Sequence, residues 1–243
     1  MEKKYLLVCE GPTDFFVIEK ISERLEEITG KKITIRPLSP RPNPATNEWP
    51  PQGWTAVKDW CRIYKSKNEA DLDEIKIPAV REFARRQNWR ALIQADNADG
   101  IILQIDTDIA ECIKEPNEFN AATTHRREHL KGAIEFWLGE NVTSDQIYLA
   151  ITSHALEAWI LATHDRTDPV FSDLHPNFNY EDITDPEERM IVLGYESTQK
   201  DGRNRIKKCE RTYKTYGTKI SQNLESVREK CMAANELCTH IES

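Results

Sequence analysis

Five carboxylates stand where the sequence reads as strand ends and helix starts. Glu10 directly follows the unbroken apolar run 5–9, which lacks helical stagger and reads as a strand buried on both faces. Gly11 and Pro12 then break the strand and Thr13 is placed to cap a helix. Ile18, Ile21, Leu25 and Ile28 fall on one face of that helix, and Asp14 lies in its first turn. The design recurs at 100–110, an apolar strand that ends in Asp106 and Asp108. This pair points one way if the strand continues, or lies side by side on the turn that follows. A third apolar strand, 146–151, leads through Ser153 and His154 into the helix 155–162, which carries Glu157 near its start. Taken singly, Glu10 is a solvated strand end, while Asp14 and Glu157 are acids that favour a helix dipole. In a parallel sheet, however, all three strand ends face one edge and the carboxylates converge. Two carboxylates about 4 Å apart repel by roughly 4 kcal/mol at an effective dielectric near 20, so such a set calls for a cation. Hard oxygen donors in this number suit Mg²⁺ or Mn²⁺ better than zinc.

The elements that must position these groups are those of an α/β fold, with a mostly parallel central sheet flanked by helices. Residues 32–36 alternate as a second strand. Residues 37–53, dense in proline, form an irregular excursion in which Arg41, Trp49 and Trp54 could meet a substrate. Val57, Trp60, Cys61 and Tyr64 have helical spacing, and a charged hinge follows at 66–74. A helix at 78–88 turns Val80, Phe83 and Ala84 inward and Arg81, Arg85 and Arg86 outward, as a solvated face or a phosphate-facing strip. A helix at 124–138 carries Leu130, Ala133, Ile134, Trp137 and Leu138 on its apolar face. Residues 165–188 read as loop with short turns. The chain ends in one long amphipathic helix with Ile220, Leu224, Val227, Cys231, Ala234, Cys238 and Ile241 in a stripe. That stripe packs on the domain or on a partner helix, which leaves a homo-oligomer open. The division is a catalytic domain at 1–165, including the proline-rich insertion, and a basic, mainly helical extension at 166–243 packed on it.

The chain has 243 residues, enough for a substantial core, and a formal net charge of −8, which argues against broad attraction to nucleic acid or an anionic membrane. One tract runs against that balance. Lys200, Arg203, Arg205, Lys207, Lys208, Arg211, Lys214 and Lys219, interleaved with Tyr213 and Tyr216, form either a surface for phosphates or a solvated helix face. No apolar run spans a bilayer and no signal peptide precedes the first strand, so the expectation is a cytoplasmic protein without membrane contact. The six cysteines are scattered, with no Cys-x-x-Cys pair, and read as reduced and structural.

The acidic pattern resembles the Toprim domain of topoisomerases, primases and OLD-type nucleases. The matching residues are Glu10 in Cys9-Glu10-Gly11-Pro12-Thr13-Asp14 and the pair in Ile105-Asp106-Thr107-Asp108. Asp14 and the segment Ser153-x-x-x-Glu157-x-Trp159 are similar to the extended acidic set of the OLD-like and small stand-alone (RloB-like) members, over residues 3–165. The resemblance implies Mg²⁺- or Mn²⁺-dependent cleavage of nucleic-acid phosphodiesters in antiphage defence. Asp106 and Asp108 would hold one metal, while Glu10, Asp14 and Glu157 would hold a second or handle the proton. It also implies a lysine that stabilises transition-state charge, with Lys214 the first candidate and Lys207 the second. Arg203, Arg205, Lys207, Lys208, Arg211 and Lys214 would bind the nucleic acid. No Gly-x-x-x-x-Gly-Lys-Ser/Thr occurs, so any ATPase would be a separate partner. One rival is a Toprim-like module that binds nucleic acid or an ATPase without cutting. Another is a zinc peptidase, because His125-Arg126-Arg127-Glu128-His129 fits the inverted zincin motif, although no third ligand is apparent.

Overall fold

The computed structural model describes residues 2–46, 48–50, 52–142, 146–152, 156–200 and 202–243, with Lys200 described by its backbone alone. Strand β1 (Glu2–Val8), helix α1 (Pro12–Thr29) and strand β2 (Lys32–Ser39) form the first unit. The chain then leaves the sheet for α2 (Trp54–Ile63), α3 (Glu69–Asp73), α4 (Pro78–Arg86) and α5 (Trp89–Asp96). It returns as β3 (Gly100–Asp106) and turns through a 3₁₀ segment, Thr107–Cys112. From there it passes through α6 (Arg126–Leu138) to β4 (Ile147–Thr152) and α7 (Glu157–Leu161). Beyond lie α8 (Pro186–Val192) and a two-stranded ribbon of β5 (Ser197–Lys200) and β6 (Arg203–Ile206). Helices α9 (Glu210–Gln222), α10 (Leu224–Lys230) and α11 (Met232–Glu242) complete the chain.

The four main strands lie in the order β2-β1-β3-β4 with every pair parallel, as the α/β reading expects. Tyr5 pairs with Gly100, Ile101 with Ile147, and Asp106 with Thr152, which brings the carboxyl ends of β1, β3 and β4 to one edge. Alternation along β1 sends Tyr5, Leu7 and Cys9 into a core shared with α1, α7 and the C-terminal helices. Leu6 and Val8 enter a second core with α2, α5 and α6. Because both faces are covered, the strands read as apolar runs rather than alternating ones.

Several expectations change. Ile28 is 50% exposed. Ten residues beyond Ile18, it has rotated about 80° round α1, out of the packed face. In α4, Ala84 is buried and Arg85 and Arg86 are exposed as expected, but Val80 and Phe83 are exposed rather than inward. The arginines there have acidic partners. Arg81 reaches Asp73 and the Ile75 carbonyl, Arg85 reaches Glu69 and Glu82, and Arg86 reaches Glu82. The proposed C-terminal helix is broken at Asn223 and Cys231, where φ is −112° and −130°. Its stripe is still buried from Ile220 to Ile241, since the spacing of three and four persists across the breaks. The basic tract is a ribbon followed by a helix. The region read as hinge contains α3, the region read as loop runs into α8, and α5 fills a stretch to which the sequence reading assigned no element. No helix among the described residues is long and apolar enough to cross a membrane.

Candidate functional site

At the carboxyl edge of the sheet, three strand ends are tied together by side chains. Glu10 Oε1 accepts the Asp106 backbone N–H at 2.8 Å, and the Glu10 N–H points to Gln104 Oε1 at 3.3 Å. Gln104, fully buried in β3, donates its amide to Asp106 Oδ1 at 2.8 Å, and the Thr152 hydroxyl at the end of β4 donates to the same oxygen. The Glu10 carbonyl accepts the Gly53 N–H, so the returning proline-rich excursion is anchored at this edge. Asp14 closes the start of α1, its Oδ2 accepting the Gly11 N–H at 2.8 Å. Glu157 is buried in the first turn of α7, where it accepts the Tyr213 phenol and lies 3.3 Å from Lys208 Nζ. Lys208 also reaches Glu187 Oε1 at 3.1 Å. Asp108 is exposed on the 3₁₀ turn, which Arg126 braces through the Thr107 carbonyl. The strand therefore ends at Asp106, and Asp108 alone lies on the turn that follows.

The electrostatics make these residues one group. Burial raises the Asp106 carboxyl well above its ordinary value, and the charges of Glu10, Asp14 and Glu157 push it further the same way. Glu10 is raised by burial against the hydrogen bond from Asp106, with Asp14 and Asp108 adding to the rise. Asp14 is raised by burial and by Glu157. Glu157 goes the other way: burial would lift it, but Lys208 and the Tyr213 hydrogen bond outweigh burial and hold it low. Burial likewise opposes the charge on Lys208, yet Glu157 and Glu187 keep its ammonium above the usual range. The Lys208 side chain is 53% exposed, while its ammonium sits between the two glutamates. The buried Cys9 thiol is pushed up by burial and by Asp14 and stays neutral.

The five carboxylates expected from the sequence are thus brought within electrostatic reach of one another. Lys214 stands apart. Its Nζ binds Glu210 at 2.7 Å and lies over the Phe16 ring, because Tyr213 is the α9 residue that faces Glu157. Lys207 and Arg211 pair with Glu196 on the exposed side, and Arg203 and Arg205 project from the ribbon. Ser153, His154 and the Lys200 side chain lie outside the described residues. Trp49 packs edge-on against Phe16, and Trp54 stacks on Trp137. Three contributors were not singled out from the sequence: Gln104, Thr152 and Glu187. Gln104 carried a signal, being the one polar residue of an apolar strand and two positions, hence one face, from Asp106.

Oxygen donors of this charge fit a hard divalent ion in type. Among the described residues, though, no group of three or more His, Cys, Asp or Glu side chains is arranged to hold a metal ion as it stands. The carboxylates are turned onto protein donors instead. One exception is Glu187 Oε2, buried without a hydrogen-bond partner. The zincin motif is also committed to the backbone. His125 caps α6 by accepting the Arg127 N–H, and His129 Nε2 faces the Ile113 carbonyl, which can only accept, so that nitrogen carries a proton. Comparison with family models, curated proteins and solved structures finds no match to this chain.

Proposed function

We propose that the chain hydrolyses phosphodiester bonds of nucleic acid with a bound Mg²⁺ or Mn²⁺. The observation that carries this reading is the gathering of Glu10, Asp14, Asp106 and Glu157 at one sheet edge, where burial and mutual repulsion disfavour the charges of the first three while Lys208 and Tyr213 keep Glu157 charged. A cation would relieve that cost, whereas a fold without one would gain from amides at the same positions. A bound divalent ion would polarise the phosphoryl oxygens, activate a water and neutralise the leaving alkoxide. Asp106 and Asp108, with Glu10, Asp14 and Glu157 beside them, would hold it. Gln104 and Thr152 orient Asp106, and Tyr213 orients Glu157. Lys208, rather than Lys214, presents an ammonium to the site and meets charge that builds on the phosphate. Arg203 and Arg205 would hold flanking phosphates. The likeness to OLD-like and small stand-alone Toprim nucleases supports a role in antiphage defence beside a separate ATPase.

The test incubates wild type, Glu10→Ala and Asp106→Ala with plasmid, single-stranded DNA and tRNA in Mg²⁺ and in Mn²⁺. Cleavage in at least one combination, lost in both variants and in EDTA, is expected. Cleavage unchanged in the variants, or none in any combination, overturns the reading. A second reading, nucleic-acid binding without cleavage, is favoured by the engagement of the carboxylates with protein donors. Binding with no cleavage in either ion would establish it.

A further inference from the structure

The ribbon β5–β6 has an unusual position. Its pairing is antiparallel, Thr198 with Arg205, Gln199 with Asn204 and Lys200 with Arg203, and it joins no other sheet among the described residues. Only Ile206, at its base, is buried, while the side chains at 197–199 and 202–205 are exposed. The ribbon is held at α8, against which β6 packs, and its remaining surface is open to solvent. Cross-strand partners share a face. One face therefore carries the positions of Lys200, Arg203 and Arg205, and the other carries Gln199 and Asn204, whose amides bond to each other at 3.0 Å.

The arginines keep donors available. Arg203 has no ion pair among the described residues, and Arg205 is 3.9 Å from Glu187, beyond hydrogen-bond length. They form one wall of a groove with Glu187, Glu188 and Ile191 opposite. Two residues past the base of the ribbon, Lys208 binds Glu157, so the ribbon springs from the rim of the acidic site.

We propose that this ribbon enters the major groove of a B-form DNA duplex and sets the backbone over the acidic site. The proposal rests on the nuclease reading for the role of that site, but the fit of the ribbon is argued separately. Two strands about 4.8 Å apart and four residues, about 13 Å, long match a groove about 12 Å wide and about 8.5 Å deep. Gln199 and Asn204, whose face turns to the bases, exchange their mutual hydrogen bond for the donor and acceptor edge of adenine, while Arg203 and Arg205 on the other face reach over the ribbon's edges to the phosphates. The major groove of A-form RNA is too deep and narrow to admit such a ribbon.

The test measures fluorescence anisotropy of a labelled 30-base-pair DNA duplex, the RNA duplex of the same sequence and single-stranded DNA. The proteins are wild type, Arg203→Ala/Arg205→Ala and Gln199→Ala/Asn204→Ala. Binding is read in EDTA across a salt series, with circular dichroism to verify folding. The DNA duplex is expected to bind at least tenfold tighter than the other two. The arginine variant should lose about tenfold or more and flatten the salt slope by about 1.8, two phosphates' share. The amide variant should bind the DNA duplex several-fold more weakly with the salt slope unchanged, because it loses base contacts and no phosphate contact. Equal or tighter binding of RNA or single strands, binding unchanged in the arginine variant, or no binding to any probe overturns the proposal. Parallel cleavage in Mn²⁺ separates the two readings. Ribbon-dependent duplex binding without cleavage removes the nuclease and keeps the ribbon, while cleavage indifferent to the ribbon does the reverse.

Discussion

At the scale of single residues, the site is held by groups that work against one another until something positive arrives. Glu10 and Asp14 are raised to about 8 and about 7, so each binds a proton more tightly folded than unfolded. Their contribution is fully present below the unfolded carboxylate range and is lost as pH rises through the folded values. Stability of the metal-free protein should therefore fall from about pH 5 to pH 8.5, by several kcal/mol. Glu157 has the opposite sign. Held low by Lys208 and Tyr213, it contributes stability at neutral pH that is lost on acidification. Urea melts in EDTA check this, and Glu10→Gln should flatten the decline above pH 5 and raise the midpoint at pH 8. A profile identical to wild type would mean that the carboxylate is not strained. The lysines give a second contrast. Lys208→Ala should reduce cleavage about 100-fold or more and destabilise by about 1–3 kcal/mol, since it leaves Glu157 buried and uncompensated. Lys214→Ala, which loses an exposed pair with Glu210 and a contact with the Phe16 ring, should stay within a few-fold of wild type on both counts. Single-turnover rates and thermal melts of the two variants side by side settle which lysine serves the site.

At the scale of elements, α9 is the piece that delivers Tyr213 to Glu157, and its approach to α1 depends on Gly217. A Cβ built there would lie 3.0 Å from the Phe16 carbonyl oxygen and 3.0 Å from Lys20 Cβ. Neither the carbonyl nor Lys20 Cβ, which is fixed to the α1 backbone, can rotate away, so the helices must separate by a few tenths of an ångström. Gly217→Ala should cost about 1–2 kcal/mol and Gly217→Val more, despite the better helix propensity of alanine. A chemical-denaturation series on the two variants checks it, and stabilisation by Gly217→Ala would show that the contact is loose. The same element explains what could be read in advance. The strands ending in Glu10 and Asp106 were legible because burial on both faces leaves an unbroken apolar run ended by an acid. Glu157 was legible as an acid inside an apolar segment. Lys208 as the site's cation was not, because its contact spans 51 residues and depends on where the ribbon returns the chain. The exposure of Val80 and Phe83 on α4 was illegible for a related reason: Arg81 and Arg85 reach back to acids of α3, a contact that periodicity does not carry.

At the scale of the whole molecule, the two cores on either side of one sheet draw on residues from Tyr5 to Ile241, so the edge that gathers the acids is braced from both ends of the chain. A structure that spends stability on packed carboxylates should recover it when a cation binds the folded state alone. Wild type with Mn²⁺ at about 100 times its dissociation constant should gain about 2.7 kcal/mol, which for a chain of this size is a rise in Tm of roughly 5–10 °C. Asp106→Asn should begin with a higher Tm in EDTA and gain little from Mn²⁺, because the amide removes both the repulsion and the ligand. The two curves should therefore converge as Mn²⁺ is titrated. Differential scanning fluorimetry over a Mn²⁺ series, with Ca²⁺ and K⁺ as controls, measures this independently of substrate and of cleavage. Equal shifts in wild type and Asp106→Asn would place the ion elsewhere on the protein, and no shift in either would leave the acidic edge without the cation that its charge calls for.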